Sequence, residues 1–179
     1  DYQILIAPPG LISGMVGLFC DAVGFNKKVH SRIISLYEGG VRVPSLLEWP
    51  ARIKPGTSSE VATCTVDYFP TILDLVGIEM PDDRPLDGIS LVPLFDGNLE
   101  SRPSPLGFHI RGQAAWHDGD WKAYCKKVDS DNWELYNLKD DPHEKKNRAA
   151  DKLLKLEAMI GAWEKWKASV EASDQGGDY

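Results

Sequence analysis

The sequence predicts an α/β chain that ends in a small antiparallel sheet of about four strands packed by a C-terminal helix. Three observations carry this prediction. Four short strand-like runs follow one another between residues 106 and 138, an amphipathic helical pattern covers residues 149–172, and a helix with start and stop signals lies at residues 67–77.

The segment from Val41 to Trp49 is predicted to be a strand, and Gly39-Gly40 before it a flexible turn. Pro44 suits the start or edge of a strand, where its missing N–H costs least. Lys54-Pro55-Gly56 then ends the region as a turn.

The helix at residues 67–77 has a recognisable beginning and end. Asp67 or Thr65 can cap its first N–H groups, Pro70 is tolerated in a first turn, and Gly77 is a natural stop. Apolar side chains recur at helical spacing and predict one buried face: Phe69, Ile72, Leu73 and Val76.

Alternation of apolar and polar residues predicts the small sheet. Its strand-like runs are Leu106–Ile110, Gln113–His117, Trp121–Lys126 and Trp133–Leu138. Asp118-Gly119 is a strong hairpin signal between the second and third runs. The terminal helix should then cover one face of the sheet with a line of apolar residues: Leu153, Leu156, Ile160 and Trp163.

The 179 residues suffice for a core, and 42% hydrophobic with 26% charged residues is a globular composition. A formal charge of −7 argues against nucleic acid as a partner, because nucleic-acid binding needs a basic surface. Residues 4–20 are apolar, but Pro8-Pro9-Gly10 interrupts them and the run is short for a membrane span, so none is expected.

Cys20, Cys64 and Cys125 are too few and too scattered for a disulfide framework or a zinc site. The chain begins with Asp, without an initiator Met or a basic leader, so we expect it to be a fragment.

Four motifs occur along the chain in a definite order. They are Tyr37-Glu38-Gly39-Gly40-Val41-Arg42-Val43-Pro44, Val66-Asp67-Tyr68-Phe69-Pro70-Thr71-Ile72-Leu73-Asp74, Leu86-Asp87-Gly88-Ile89-Ser90-Leu91 and Glu134-Leu135-Tyr136-Asn137-Leu138-Lys139-Asp140-Asp141-Pro142-His143-Glu144. In this order they resemble the C-terminal part of a type I, arylsulfatase-like sulfatase of the alkaline phosphatase superfamily. The resemblance covers about residues 36–172 and implies an α/β fragment of a sulfatase-like fold.

The resemblance also implies a domain organisation. Residues 1–35 depart from the family and stay unassigned, residues 36–105 would be the end of the large α/β domain, and residues 106–179 would be a small C-terminal α+β subdomain. Secreted, periplasmic or lysosomal localisation is what the family leads us to expect.

Members of this family hydrolyse sulfate esters with a formylglycine made from Cys or Ser in a Cys/Ser-x-Pro-x-Arg motif, and with a divalent cation, usually calcium. None of the three cysteines has Pro at the second following position, and the metal-binding Asp-Asn-Gly is absent upstream of Tyr37. We therefore expect no nucleophile and no metal site in this chain. A family Lys four residues before the motif Tyr falls at Ile33.

The candidate catalytic cations are Lys28 and Arg32, although neither falls in register with the family Lys. The candidate substrate-binding residues are Arg42, His109 and Trp116. Arg42 could reach a sulfate or pair with Glu38. Trp116, beside a hairpin turn, is the best candidate among the six Trp residues for stacking on a sugar, although a core role is the ordinary alternative.

The sequence thus predicts a sulfuric ester hydrolase by family, whose C-terminal part shapes the substrate cleft and which is inactive as an isolated chain. The substrate of the intact enzyme would be a sulfated carbohydrate or an aryl sulfate. Two alternatives stay open: a non-catalytic carbohydrate-binding or interaction module, and a phosphoesterase relative of the same superfamily.

Overall fold

The structure is a computed structural model that describes residues 35–80 and 82–177. Its helices are α1 (Glu38–Val41), α2 (Tyr68–Val76), α3 (Val92–Phe95) and α4 (Leu153–Asp174), with 3-10 turns at Thr65–Asp67 and Val128–Ser130. Its strands are β1 (Leu106–Ile110), β2 (Gln113–Asp118), β3 (Trp121–Cys125) and β4 (Trp133–Asn137). The described residues divide into two compact units, one of residues 44–104 and one of residues 35–43 with 105–177.

In the first unit, α2 confirms the predicted helix. Gly77 adopts φ 67° and ends it, while the Ile78 N–H donates to the Leu73 carbonyl. The predicted burial of its apolar face is wrong, because Ile72 and Val76 are 57% and 59% exposed. The helix instead turns its buried Thr71 inward, where Oγ1 accepts a hydrogen bond from the Leu91 N–H at 2.9 Å.

The strand predicted from Val41 to Trp49 is wrong: the structure forms no strand between residues 35 and 49. Its first residue, Val41, is the last residue of α1, and the Arg42 N–H that follows donates to the Glu38 carbonyl. A Cβ on Gly40 would lie 2.0 Å from the Ser35 carbonyl oxygen, so the tight turn requires glycine here. A segment with strand propensity forms a strand only when it pairs with a neighbouring strand. Within the described residues, no strand pairs with this segment.

The predicted sheet is confirmed. All neighbouring strands are antiparallel and lie in the order β1-β2-β3-β4. Asp118 pairs with Trp121, so the two turn residues are Gly119 and Asp120, one position later than the hairpin signal. Arg111 and Gly112 join β1 to β2 with positive φ angles of 50° and 77°, as a type I′ turn requires.

Helix α4 covers one face of the sheet, as predicted, and we call this the helix face. Its core contains Leu156, Met159 and Trp163 of α4 above sheet residues that include Ala114, Trp116, Ala123, Cys125, Trp133 and Leu135. The predicted burial of Leu153 is wrong, because this first helical residue is 57% exposed. The buried stripe of α4 therefore begins at Leu156, one turn later than the apolar pattern predicts.

The opposite face of the sheet, which we call the second face, is covered by residues 35–43. Leu36 packs with the buried Ala115 and Tyr124, and Tyr37, Val41 and Phe108 surround them. The division at residues 35/36 and 105/106 stays a prediction, and residues 36–43 belong to the same compact unit as the sheet. Both faces of the sheet are therefore buried within one unit.

Candidate functional site

A buried ion cluster lies on the second face of the sheet. Lys122 Nζ lies 2.8 Å from Glu38 Oε1 and 2.9 Å from Glu144 Oε1, and all three side chains are 6% exposed or less. The Glu38 N–H donates to Glu144 Oε2 at 2.6 Å, so Glu144 binds both the lysine and the backbone of α1. Two sulfatase-like motifs, more than 100 residues apart, therefore meet at one lysine.

Three elements position this cluster. Strand β3 alternates, so Trp121 and Ala123 face α4 while Lys122 and Tyr124 point to the second face. Glu144 adopts φ 53°, an uncommon angle for a residue other than glycine, and its N–H donates to the Asp141 carbonyl. The Asp141 carboxylate accepts the N–H groups of Lys145 and Lys146, which fixes the loop that brings Glu144 inward.

The electrostatics of the cluster are unbalanced, since two carboxylates share one ammonium group. Burial raises the pKa of Glu144, and the charge and hydrogen bond of Lys122 oppose this shift. His117 is the cross-strand neighbour of Lys122. Burial lowers the pKa of His117, an effect that the negative charge of Glu38 opposes and the positive charge of Lys122 reinforces.

Beside it lies a second group, the tyrosine–carboxylate cluster of Glu134, Tyr37, Tyr124 and Tyr136. Tyr37 Oη and Tyr136 Oη donate to Glu134 Oε2 at 2.7 and 2.9 Å. The Tyr37 and Tyr124 rings lie 4.0 Å apart between centroids. Burial, followed by the hydrogen bond to Glu134, raises the pKa of both Tyr37 and Tyr136, so both phenols stay protonated donors.

In the first unit, Asp67 joins the other two motifs. Its carboxylate is fully buried and accepts a bidentate pair from Arg102 Nη1 and Nη2 at 2.8 and 2.9 Å. It also accepts the N–H groups of Cys64 at 2.7 Å and Ile89 at 2.9 Å. A Cβ on Gly88 would lie 2.1 Å from the Val66 carbonyl oxygen. Asp67 therefore holds the Asp87-Gly88 loop against the start of α2.

The structure does not bring the candidate substrate-binding residues together. His109 is exposed on the edge strand β1, with its ring 5.7 Å from that of Trp163 on the helix face. Arg42 is partly buried directly after α1, on the segment that packs on the second face. Lys28 and Arg32 lie outside the described residues. Their roles stay predictions.

Trp116 takes the core position that was the alternative to a sugar-stacking role. Its side chain is 8% exposed and belongs to the helix-face core, with its ring 6.3 Å from that of Trp166. Gly107, opposite Trp116 in the sheet, leaves the space that the Trp166 ring fills. Alternation along β2 places Trp116 on the same face as Ala114, and this alternation predicts its burial. The nearness of Trp116 to a turn, which suggested exposure, does not decide its position.

Sequence reasoning missed Lys122, Glu134 and Glu144. The two glutamates stand inside the last motif, and Lys122 stands at a second-face position of an alternating strand. The alternation predicted which way Lys122 points. It could not predict that carboxylates from two distant segments would cover it, since that depends on loop packing.

The described residues do not fit the calcium and formylglycine that the resemblance implies. Among them, no group of three or more His, Cys, Asp or Glu side chains could hold a metal ion. Cys64 is partly buried and Cys125 buried, and neither stands in a Cys-x-Pro-x-Arg sequence. The carboxylates of Glu38, Glu144 and Asp67 are occupied by Lys122 and Arg102.

The fold of the described residues is the fold of the C-terminal part of sulfatases. The chain superposes on Ps i-CgsB, solved in complex with k-i-k-neocarrahexaose, with a TM-score of 0.63 and 31% identity. The match covers 74% of this chain and 30% of that chain. Residues 29–161 match the family described as N-sulphoglucosamine sulphohydrolase, C-terminal, and the chain therefore belongs to this family.

Curated relatives agree with the predicted sulfatase resemblance, which is confirmed. The steryl-sulfatase of Mus musculus is 42% identical over 94 residues, 49% of this chain and 15% of the relative. The N-acetylglucosamine-6-O-sulfatase of Bacteroides thetaiotaomicron is 29% identical over 124 residues, 63% of this chain and 22% of the relative. The chain thus spans less than a quarter of the length of either relative. No helix within the described residues is long and apolar enough to cross a membrane.

Proposed function

We propose that this chain is the C-terminal part of a sulfuric ester hydrolase, that its sheet unit shapes the substrate cleft, and that the isolated chain does not hydrolyse sulfate esters. The observation that carries the proposal is that the carboxylates of the motifs form buried ion pairs within the chain. Glu38 and Glu144 bind Lys122, and Asp67 binds Arg102, so these charges hold the fold together.

Attack on a sulfate ester needs a nucleophile and a group that neutralises charge on the leaving oxygen. Lys122 and Arg102 are the cations that bind carboxylates of the motifs. Each is held in an ion pair, and the side chain of each is less than 10% exposed. A buried, paired cation cannot approach a substrate oxygen without breaking its ion pair. We propose that the formylglycine and calcium of the intact enzyme come from residues outside 35–80 and 82–177.

The substrate of the intact enzyme would be a sulfated carbohydrate or an aryl sulfate. The name of the N-acetylglucosamine-6-O-sulfatase supports a sulfated carbohydrate. The steryl-sulfatase is named for a sulfated sterol, so it supports a sulfate ester as substrate but neither of these two kinds. The net charge of −7 does not favour anions in general, so a cationic patch elsewhere in the cleft is required.

A turnover assay tests the predicted inactivity. The chain is incubated with calcium, a formylglycine-generating enzyme and either p-nitrophenyl sulfate or N-acetylglucosamine 6-sulfate, with p-nitrophenyl phosphate as a third substrate. We expect no product from any of them, while the intact Bacteroides relative releases sulfate from its own substrate. Sulfate release by the chain would overturn the proposal, and phosphate release would support the phosphoesterase alternative.

A chimera tests the cleft role. Residues 106–177 replace the corresponding segment of the Bacteroides N-acetylglucosamine-6-O-sulfatase, which is similar over 124 residues. We expect a folded chimera that still hydrolyses sulfate esters, with altered relative kcat/KM values among sulfated sugars. Identical relative kcat/KM values in chimera and parent would contradict the role in shaping the cleft.

A further inference from the structure

The buried cluster of Glu38, Lys122 and Glu144 holds one more negative charge than positive charge. Two carboxylates share one ammonium group, and all three side chains are 6% exposed or less. A buried charge without a counter-charge is costly, because water cannot solvate it. One proton taken up by a carboxylate would balance the cluster, so the stability of the cluster should respond to pH.

The hydrogen bonds within the cluster indicate which carboxylate takes up the proton. Lys122 Nζ donates to Glu38 Oε1 at 2.8 Å. Its 2.9 Å contact with Glu144 Oε1 is an ion pair, and this enclosed oxygen lacks a well-aligned donor. A proton on Glu144 Oε1 therefore displaces no aligned hydrogen bond, and Oε2 can still accept the Glu38 N–H.

The cluster also attaches a short segment to the sheet. Residues 35–43 reach the second face through Glu38, whose carboxylate binds Lys122 and whose N–H donates to Glu144 Oε2 at 2.6 Å. Both contacts end within the cluster, so the charge of the cluster acts directly on the docking of this segment. Apolar packing of Leu36 completes the attachment and involves no charge.

We propose that the cluster is a proton-sensitive latch, in which Glu144 takes up one proton from solvent and thereby tightens the docking of residues 35–43 on the second face. The step converts the Glu144 carboxylate into a neutral carboxyl group and leaves one carboxylate, Glu38, against one ammonium group, Lys122. The latch is a property of the fold and does not depend on the proposed function.

Further titratable or charged side chains, partly or fully buried, lie on the elements packed around the latch. They are Tyr37 and Arg42 on the docked segment, His117 on β2, Tyr124 on β3, Glu134 and Tyr136 on β4, and Asp141 and His143 on the loop of Glu144. Burial raises the pKa of the three tyrosines, so their phenols stay neutral in acid. His117 acts against the latch, because burial lowers its pKa.

The sign of the effect follows from the environment of Glu144. Burial raises its pKa in the docked state, whereas an undocked glutamate titrates at about 4.3. The docked state therefore binds the proton more tightly. Docking is strongest below about pH 4.3 and weakens as the pH rises through the raised pKa of docked Glu144. The opposing effect of His117 begins below its unfolded pKa of about 6.5, so the test removes this residue.

Hydrogen exchange of the Arg42 amide measures docking, because this N–H donates to the Glu38 carbonyl of α1. The 179-residue chain with His117→Gln is compared at about pH 7.5 and about pH 5.0, with rates corrected for the intrinsic pH dependence of exchange. The amide of Leu156, which donates to the Lys152 carbonyl in α4, is the internal reference. We expect the protection of Arg42 relative to Leu156 to rise about threefold or more in acid.

Glu144→Gln, added to the same chain, places a neutral side chain of the same shape in the latch. It should give high protection of Arg42 at both pH values, without the rise in acid. Glu157→Gln makes the same chemical change at an exposed position of α4 and should keep the rise. Carbon-13 shifts of the Glu144 carboxyl group in the unsubstituted chain follow the proton directly, and their midpoint should lie above about pH 4.3.

Protection of Arg42 that does not rise in acid, or a rise that persists in Glu144→Gln, would overturn the latch. Loss of the rise in Glu157→Gln as well would also overturn it, because the response would then not belong to the cluster. Should a substituted chain not fold, the Glu144 carboxyl titration decides alone, and a midpoint at or below about pH 4.3 would overturn the latch.

Discussion

Lys122 Nζ lies 2.8 Å from Glu38 Oε1, and this contact joins the sheet to a segment 84 residues earlier in the chain. Glu144 completes the cluster from the loop after β4. Lys122, a charged residue in the middle of β3, therefore has a structural role as the partner of two buried carboxylates. It also makes the second face dependent on one ammonium group.

We expect Lys122→Met to lower the free energy of unfolding by about 3–5 kcal/mol, because it leaves two buried carboxylates without a counter-charge. Urea unfolding followed by near-ultraviolet circular dichroism measures the change. Lys126→Met, at an exposed position just after the same strand, is the matched control and should change little. An equal loss in both variants would contradict a special role for the buried cluster.

Arg102→Met should destabilise the first unit for the same reason. It removes two hydrogen bonds from the fully buried Asp67, and we expect a loss of about 3–5 kcal/mol in urea unfolding. Arg52→Met breaks a bidentate pair with Asp96 that is exposed to solvent, so its effect should be much smaller. A comparable effect of the two substitutions would argue that burial of the Asp67 pair is unimportant.

His117 should make stability depend on pH. Burial lowers its pKa in the folded chain, so the folded state favours the neutral ring. The stability that this provides is present above the unfolded pKa of about 6.5 and is lost as pH falls through the lower folded pKa. The raised pKa of Glu144 acts in the opposite direction, so a comparison between variants is needed.

We therefore expect His117→Gln to lose less stability than the parent chain when the pH falls from about 7.5 to about 5.5. Urea midpoints at both pH values measure this, and Glu144, Glu38 and Lys122 are the same in both proteins. A larger acid-induced loss in His117→Gln would show that the sign is wrong.

Gly107 in β1 and Gly161 in α4 should respond oppositely to substitution by alanine. A Cβ on Gly107 would lie 2.4 Å from the Trp166 ring, so Gly107→Ala should destabilise by about 1–3 kcal/mol through overpacking. A Cβ on Gly161 in α4 meets nothing within 4 Å, and Gly161→Ala should stabilise by up to about 1 kcal/mol. Thermal unfolding of both variants checks the pair, and destabilisation by Gly161→Ala would contradict the open space described there.

The exposed apolar face of α2 should promote self-association. Phe69, Ile72 and Val76 are more than half exposed on consecutive turns. Ile72→Lys should raise the concentration at which the chain aggregates, as measured by light scattering, with an unchanged far-ultraviolet spectrum. Ser58→Lys adds the same charge to an exposed polar position, and equal protection by both would attribute the effect to charge alone.

The sheet, its hairpins and α4 could be predicted because each depends on local periodicity and turn chemistry. Asp118-Gly119 marked the hairpin to within one residue, and the apolar line of α4 named Leu156 and Trp163 correctly. The strand at Val41–Trp49 failed because it depends on neighbours that no local pattern specifies.

By itself, the sequence determined the family, the order of the elements and which strand positions share a face, since motif order and the period of two are local properties. Only the tertiary structure decided that Glu38 and Glu144 meet at Lys122, that Asp67 accepts four donors, and that Trp116 is buried. These contacts join distant segments, and their geometry follows from how loops close over the sheet. The charged residues of the motifs therefore form buried ion pairs, which could not be predicted from their spacing along the chain.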